Sequence, residues 1–116
     1  MRYAIREMIG ENCMTQQSGQ QIYEMIYPRL QAGQSVELDF AGTKRFLSVF
    51  FNFAIGQLLR DIDPETLDRL LAVSNLSPVG QQAYDRVMEN AKRYYSLDDE
   101  RQRAFDAIIL EQATLL

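Results

Sequence analysis

The chain has 116 residues, of which 47% are hydrophobic and 24% charged, as expected for one globular domain. Its 12 basic and 16 acidic residues give a net charge of −4, which disfavours a nucleic-acid binder because such proteins gain affinity by neutralising phosphates. There is no histidine and one cysteine, which excludes histidine-dependent catalysis, an intramolecular disulfide and a thiolate zinc site. We therefore expect a protein that is not an enzyme and needs no cofactor or metal.

The amino-terminal stretch does not have the pattern of a signal peptide. Charged residues interrupt its apolar positions, and it lacks a continuous hydrophobic core. The longest apolar run, residues 46–59, is shorter than the roughly 18 residues that a membrane helix needs. The sequence therefore predicts a cytoplasmic protein without a membrane span.

In the first third of the chain, the pattern predicts two short strands and a helix. Residues 3–9 alternate between apolar and polar side chains, which favours a half-exposed strand. A turn over residues 10–12 precedes a short returning strand over residues 13–15. Ser18 and Gln21 fit a capping box with Ser18 as the N-cap. This helix should end near Gly33.

The central segment is the most informative part of the sequence. Residues 36–40 predict a buried strand, Gly42 a turn, and Ser48 the start of a helix that is apolar on nearly every side. A serine at the start of such a helix either caps the helix or carries chemistry. Both interpretations stay open from the residues alone.

Three further helix starts follow. Asp63 and Pro64 begin one, and the periodicity favours a helix over residues 64–73. Ser77 and Pro78 begin a second. Ser96 begins a last helix whose apolar stripe contains Phe105, Ile108 and Ile109. Strands that alternate with helices indicate an α/β layer architecture.

The order and spacing of several short motifs resemble a known family. The motifs are Gly10, the helix start at Ser18 and Gly19, Gly33, residues 38–42, Ser48, Gly56 and residues 75–77. Over about residues 5–95 they resemble the STAS domains, the anti-sigma-factor-antagonist fold. They are closer still to a bacterial STAS-like family of uncharacterised function.

This resemblance implies an α/β, STAS-like fold: a small mixed sheet of about four to five strands with helices packed on it. It implies a strand over residues 69–75, which we adopt over the helix that periodicity favours there. Residues 1–96 would form the STAS-like domain. Residues 97–116 would form a C-terminal helical extension, packed on the same domain or on a partner.

On the register of this resemblance, Ser48 aligns with the serine that phosphorylatable STAS proteins modify. The chain departs from their pattern at Leu47, Val49 and Phe50, where an acidic residue, a serine and a small residue are expected. A phosphate on Ser48 would lie in the positive field of a helix start and would add nearly two negative charges to a binding surface. Capping of the helix by Ser48 is the alternative.

Other residues complete the predicted surface. Asp39, at the end of the central strand, either binds a partner or caps the turn that follows it. Lys44 and Arg45 lie where an acidic group or a phosphate would approach, although such pairs are often merely solvated. Phe50 and Asn52 are further candidates for partner binding.

The resemblance implies a regulatory protein-binding module that binds a kinase-like ATP-binding protein through the surface around Ser48. We expect neither nucleic acid nor membrane as a partner, and a homodimer stays open. The alternative function is structural or antitoxin-like. Assembly would then use Phe105, Ile108 and Ile109 as an oligomerisation stripe, without a phosphorylation switch.

Overall fold

Residues 1–96, the part of the chain that the computed structural model describes, contain five short strands and five helices. The strands are β1 (Arg2–Ala4), β2 (Asn12–Cys13), β3 (Val36–Asp39), β4 (Arg45–Phe46) and β5 (Leu71–Ser74). The helices are α1 (Ile5–Ile9), α2 (Gln16–Gln31), α3 (Ser48–Ala54), α4 (Pro64–Leu70) and α5 (Pro78–Tyr95), and a 3₁₀ helix (Gly56–Arg60) follows α3.

The larger sheet has three parallel strands in the order β1–β3–β5. Because successive side chains of a strand point to opposite faces, Val36 and Leu38 of β3 enter the core while Glu37 and Asp39 lie on the other face. That second face is polar. Arg2 of β1 forms ion pairs with both acids, and the Ser74 hydroxyl of β5 donates to Glu37. The helices therefore pack on one face of a sheet whose other face is adapted to water.

The prediction of one mixed sheet with four to five strands is not confirmed. In residues 1–96 the five strands are divided between this sheet and a two-stranded parallel sheet of β2 and β4. The reason is that α1 and the turn at Gly10, where φ is 86°, carry the chain away after β1. β2 therefore does not return beside β1 as expected, but pairs with the residues that lead into α3.

The strand predicted for residues 3–9 is wrong beyond Ala4, since residues 5–9 form α1. Ile5 and Ile9 satisfy both a strand period of two and a helical spacing of four, so the alternation alone was ambiguous. The helix buries Ile5 completely. It ends where the Gly10 N–H donates to the Arg6 carbonyl.

The second helix begins earlier than predicted. Thr15, not Ser18, is the N-cap of α2, because the Thr15 hydroxyl oxygen accepts a hydrogen bond from the Ser18 N–H at 3.0 Å. Ser18 instead lies in the first turn. The predicted end near Gly33 is confirmed, since α2 stops at Gln31.

The segment after the 3₁₀ helix contains both a helix, as periodicity predicts, and a strand, as the resemblance implies. Asp63 caps α4 by accepting the Thr66 N–H, and Pro64 takes the first helical position. The Leu71 N–H still donates to the Leu67 carbonyl, yet Leu71 is already the first residue of β5. Periodicity therefore predicted the helix correctly over residues 64–70. The strand adopted for residues 69–75 is confirmed for residues 71–74 and is wrong for residues 69–70, which belong to α4.

Aromatic rings fill the space between the sheet and the helices. The Phe51 ring lies within 6 Å, between ring centroids, of four others. These are the rings of Phe40, Phe46, Phe50 and Tyr84. The cluster joins the end of β3 to β4, α3 and α5, and therefore fixes the position of the start of α3 relative to the sheet.

Candidate functional site

Ser48 is the first residue of α3 and is exposed. The N-cap of this helix is Leu47, with extended backbone angles and no side-chain capping bond. Within residues 1–96 the Ser48 hydroxyl makes no hydrogen bond, whereas the hydroxyls of Thr15 and Ser77 cap α2 and α5. Capping therefore does not account for Ser48, and its hydroxyl is free to react or to bind.

β2 and β4 hold the start of α3 in place. The Leu47 N–H donates to the Cys13 carbonyl at 3.0 Å, and the Lys44 N–H donates to the Glu11 carbonyl at 2.7 Å. The Lys44 ammonium also lies 3.5 Å from the Glu11 carboxylate. Arg45 is exposed and forms no ion pair in the described part of the chain. Of the two predicted basic residues, Arg45 is therefore the one with an uncommitted charge.

The two remaining candidates for partner binding, Phe50 and Asn52, lie on different sides of α3. Asn52 is exposed and lies four residues after Ser48, so the two side chains share one face of the helix. Phe50 is completely buried in the aromatic cluster. The structure thus contradicts Phe50 as a partner-binding residue, because α3 turns its ring towards Phe40 rather than towards solvent.

Asp39 lies at the carboxyl end of β3, where its carboxylate accepts three hydrogen bonds. The donors are the Asn75 side-chain amide at 2.8 Å, the Ala41 N–H at 3.0 Å and the Arg2 guanidinium at 2.6 Å. The bonds from Asn75 and Ala41, together with the positive charge of Arg2, lower the pKa of the Asp39 carboxyl. Asp39 joins the ends of β1, β3 and β5, which agrees with the turn-capping interpretation.

We expect Asp39→Asn to change how stability depends on pH. Because the folded pKa of Asp39 is lower than the unfolded value of about 4, its stabilisation is present above about pH 4 and is lost as pH falls through the folded pKa. Wild type should therefore unfold at a higher temperature than the variant at pH 7, and the gap should shrink on acidification. Thermal unfolding followed by circular dichroism from pH 7 to pH 2 measures this.

Glu24→Gln, on an exposed position of α2, is the matched control for that titration. A constant difference between wild type and Asp39→Asn at every pH would contradict the assignment. The lost stability would then come from altered packing rather than from the ionised carboxylate.

Cys13 is a free cysteine that is buried in the core. Burial raises the pKa of its thiol to about 12. The thiol is therefore protonated at neutral pH, and a thiolate is the form that reacts. Cys13 contributes to the packing beneath the start of α3.

Among residues 1–96 no group of three or more acidic or cysteine side chains is placed to hold a metal ion. Over the same range no helix has the length and apolarity needed to cross a membrane. Phe105, Ile108 and Ile109 lie outside the described residues, so the assembly stripe stays a prediction.

Sequence reasoning missed the residues that engage Asp39. Asn75 adopts a positive φ of 59°, which is uncommon for a residue other than glycine. That conformation places its amide against Asp39, 36 residues away in the chain. Arg2, at the edge of the sheet, offered no signal either, because only the parallel register of β1 and β3 brings it beside the acids.

The comparisons with known proteins agree with the architecture. A family model described as STAS-like domain of unknown function (DUF4325) matches residues 18–81, which run from the first turn of α2 to the first turn of α5. No curated protein and no solved structure matches the chain. The match covers more than half of the 116 residues and includes β3, Ser48 and β5. The chain belongs to this family of STAS-like domains.

Proposed function

We propose that this protein is a non-enzymatic regulatory module that binds a kinase-like ATP-binding protein through the surface around Ser48. The observation that carries the proposal is the exposed Ser48 hydroxyl, which has no hydrogen-bonding partner within residues 1–96. A hydroxyl in that position is accessible both to a kinase and to a bound protein. The class of partner rests on the resemblance to STAS domains.

The surroundings of Ser48 support a surface for proteins rather than a catalytic centre. Leu47, beside it, is 47% exposed, and Asn52 is exposed on the same face of the helix as Ser48. The rigid aromatic cluster lies directly beneath, since the neighbouring Phe50 and Phe51 are fully buried. An apolar contact next to hydrogen-bonding groups on a rigid base is typical of protein interfaces.

Phosphorylation of Ser48 would give the module a switch. The modification adds about 1.5 to 2 negative charges at neutral pH. When a partner covers the surface, that charge loses its solvation beside Leu47, and every 1.4 kcal/mol of cost weakens binding about tenfold. A modest penalty is therefore enough to release the partner.

The proposal predicts that Ser48→Glu weakens partner binding at least tenfold while Ser48→Ala retains it. Because Ser48 is exposed, neither change should alter the unfolding temperature by more than a few degrees. The measurement is capture from the native host with the full chain, identification by mass spectrometry, and titration of the purified partner.

Ser35→Glu is the matched control, since Ser35 is also exposed but precedes β3, at the opposite end of that strand from Asp39. Equal affinity of wild type and Ser48→Glu for the same ATP-binding protein would leave a constitutive binding module without a switch. Capture of no ATP-binding protein by any variant would refute the proposed class of partner.

A further inference from the structure

Two uncharged stretches of the chain lie side by side in the structure. Residues 12–23 and 46–59 contain no charged residue, although 24% of the whole chain is charged. They include the first half of α2 and all of α3. A Cβ atom built on Gly19 of α2 would lie 2.5 Å from the Phe50 carbonyl oxygen of α3, so the two backbones are in direct contact. Any surface that these parts of α2 and α3 form together is therefore uncharged.

The outer side of α3 carries two pairs of side chains, each spaced four residues apart. Ser48 and Asn52 are exposed, and Val49 and Phe53 are half-buried. Because residues four apart on a helix are neighbours, these side chains form one continuous face. In the part of the chain that the structure describes, neither Val49 nor Phe53 belongs to the core cluster or to the half-buried side chains that pack on it. Both apolar side chains therefore face outwards from the core.

The side of α2 next to α3 continues this face beyond Phe53. A Cβ atom on Gly19 would lie 3.0 Å from the Phe53 Cβ atom, so Phe53 borders on α2. The Gln57 side-chain amide donates to the Gln20 side chain at 2.9 Å and to the Phe53 carbonyl at 2.6 Å. Gln16 is exposed and lies one turn before Gln20 on the same side of α2. The uncharged surface formed in this way, called here the α2–α3 patch, consists of Gln16, Gln20, Ser48, Val49, Asn52 and Phe53.

The composition of the α2–α3 patch is typical of the centre of a protein interface. Such centres are depleted in charged residues and enriched in aromatic ones. The patch combines the apolar Val49 and Phe53 with amides that can donate and accept hydrogen bonds. It is continuous with the proposed surface, since Ser48 and Asn52 belong to both. A charged side chain of a partner would lose its solvation here without meeting an opposite charge within the patch.

We infer that the α2–α3 patch binds an uncharged face of the partner protein, made of apolar side chains together with hydroxyl or amide groups. The inference rests on the proposed function and extends its surface from α3 onto α2. A phosphate on Ser48 would then place about 1.5 to 2 negative charges in a patch that otherwise has none. A second copy of the chain fits less well, since each copy carries a net charge of −4 and association would add repulsion between them.

The test uses a library of random 12-residue peptides displayed on phage and selected against the full chain. Enriched peptides should combine aliphatic or aromatic residues with Ser, Thr, Asn or Gln, without a charged consensus position. In fluorescence polarisation, their affinity should change less than about twofold between about 50 mM and about 500 mM sodium chloride, because no ion pair is screened. Val49→Asp should weaken binding at least tenfold, and Gln16→Glu about threefold or more, because each brings a charge into the patch.

Each of these variants has a matched control. Val79→Asp makes the same change at the second residue of another helix, α5, where Val79 is 66% exposed. Gln21→Glu repeats the glutamine change at an exposed position on the side of α2 opposite to Gly19. Both controls should bind the peptides with wild-type affinity. An acid in the first turn of a helix suits its dipole, so Val49→Asp and Gln16→Glu should remain folded.

Several results would refute the inference. They are an absence of enriched peptides, a charged consensus, and binding that weakens steeply with salt. Wild-type affinity of Val49→Asp for the peptides would also refute it. A wild-type dimer in sedimentation that Val49→Asp dissociates would refute it as well, since the patch would then bind a second copy of the chain.

The inference and the proposed function can fail separately. If the ATP-binding partner is lost with Ser48→Glu but binds Gln16→Glu and Val49→Asp normally, the proposed function stands and the extension to α2 falls. If uncharged peptides occupy the patch but no ATP-binding partner exists, the patch stands and the proposed class of partner falls.

Discussion

Phe51→Ala is expected to destabilise the protein by about 3–5 kcal/mol, because it removes the ring that joins the aromatic cluster. The Phe51 side chain is fully buried, and its centroid lies 5.3 to 5.9 Å from those of its four aromatic neighbours. Alanine would leave a cavity bounded by β3, β4, α3 and α5. A domain of this size has about 5–15 kcal/mol of stability in total, so the variant should be marginally folded.

Urea unfolding at 25 °C, followed by circular dichroism, measures this loss. Leu47→Ala is the control: it lies four residues away and is partly exposed, so it should cost far less than Phe51→Ala. A loss below about 1 kcal/mol for Phe51→Ala would show that the neighbouring rings collapse into the space. Phe51→Leu, which retains most of the volume, should lie between wild type and alanine.

Gly19→Ala is expected to destabilise the protein by about 1–3 kcal/mol, although the same change in a free helix stabilises it by about 1 kcal/mol. A Cβ atom at Gly19 would lie 2.5 Å from the backbone carbonyl oxygen of Phe50 and 3.1 Å from the backbone nitrogen of Ala54. Since both are backbone atoms, no change of rotamer relieves the contact. The variant must therefore push α2 and α3 apart.

The sign of the change in the free energy of unfolding tests this prediction, because close packing predicts a loss of stability and helix propensity predicts a gain. Gln21→Ala, at an exposed position of the same helix, should leave the free energy of unfolding nearly unchanged. Stabilisation by Gly19→Ala, measured in the same urea titrations, would contradict close packing of the two helices. Destabilisation together with weaker partner binding would indicate that the contact also positions Ser48, because Phe50 belongs to the first turn of α3.

Phe51→Ala and Gly19→Ala both test the core packing that lies beneath the proposed surface around Ser48. Ser48 and Leu47 lie on the outside of α3, while Phe50 and Phe51 anchor the same helix in the core. The position of this surface therefore depends on the packing of buried side chains beneath it. A variant with a weakened core should lose affinity through disorder of α3, whereas Ser48→Glu should lose affinity with the fold intact.

Local chemistry determined several elements without reference to the rest of the chain. Asp63 with Pro64 and Ser77 with Pro78 begin helices where predicted, since a cap and a proline at the first position act within a few residues. The buried strand over β3 and the turn at Gly42 were also predicted from their own residues. The order of these signals was enough to recognise the family.

Contacts between residues that are distant in the sequence determined the remaining features of the fold and of the candidate site. Residues 5–9 fit a strand or a helix, and the burial of Ile5 in the α1 conformation selected the helix. Phe50 and Asn52 both follow Ser48 closely, but only packing against Phe40 determined which of them faces solvent. The division into two sheets and the hydrogen bonds that Asp39 accepts from Arg2 and Asn75 depend on strand register. That register arises when segments more than 30 residues apart in the sequence pair with each other. Periodicity and capping signals describe a few neighbouring residues, so only the tertiary structure could determine these features.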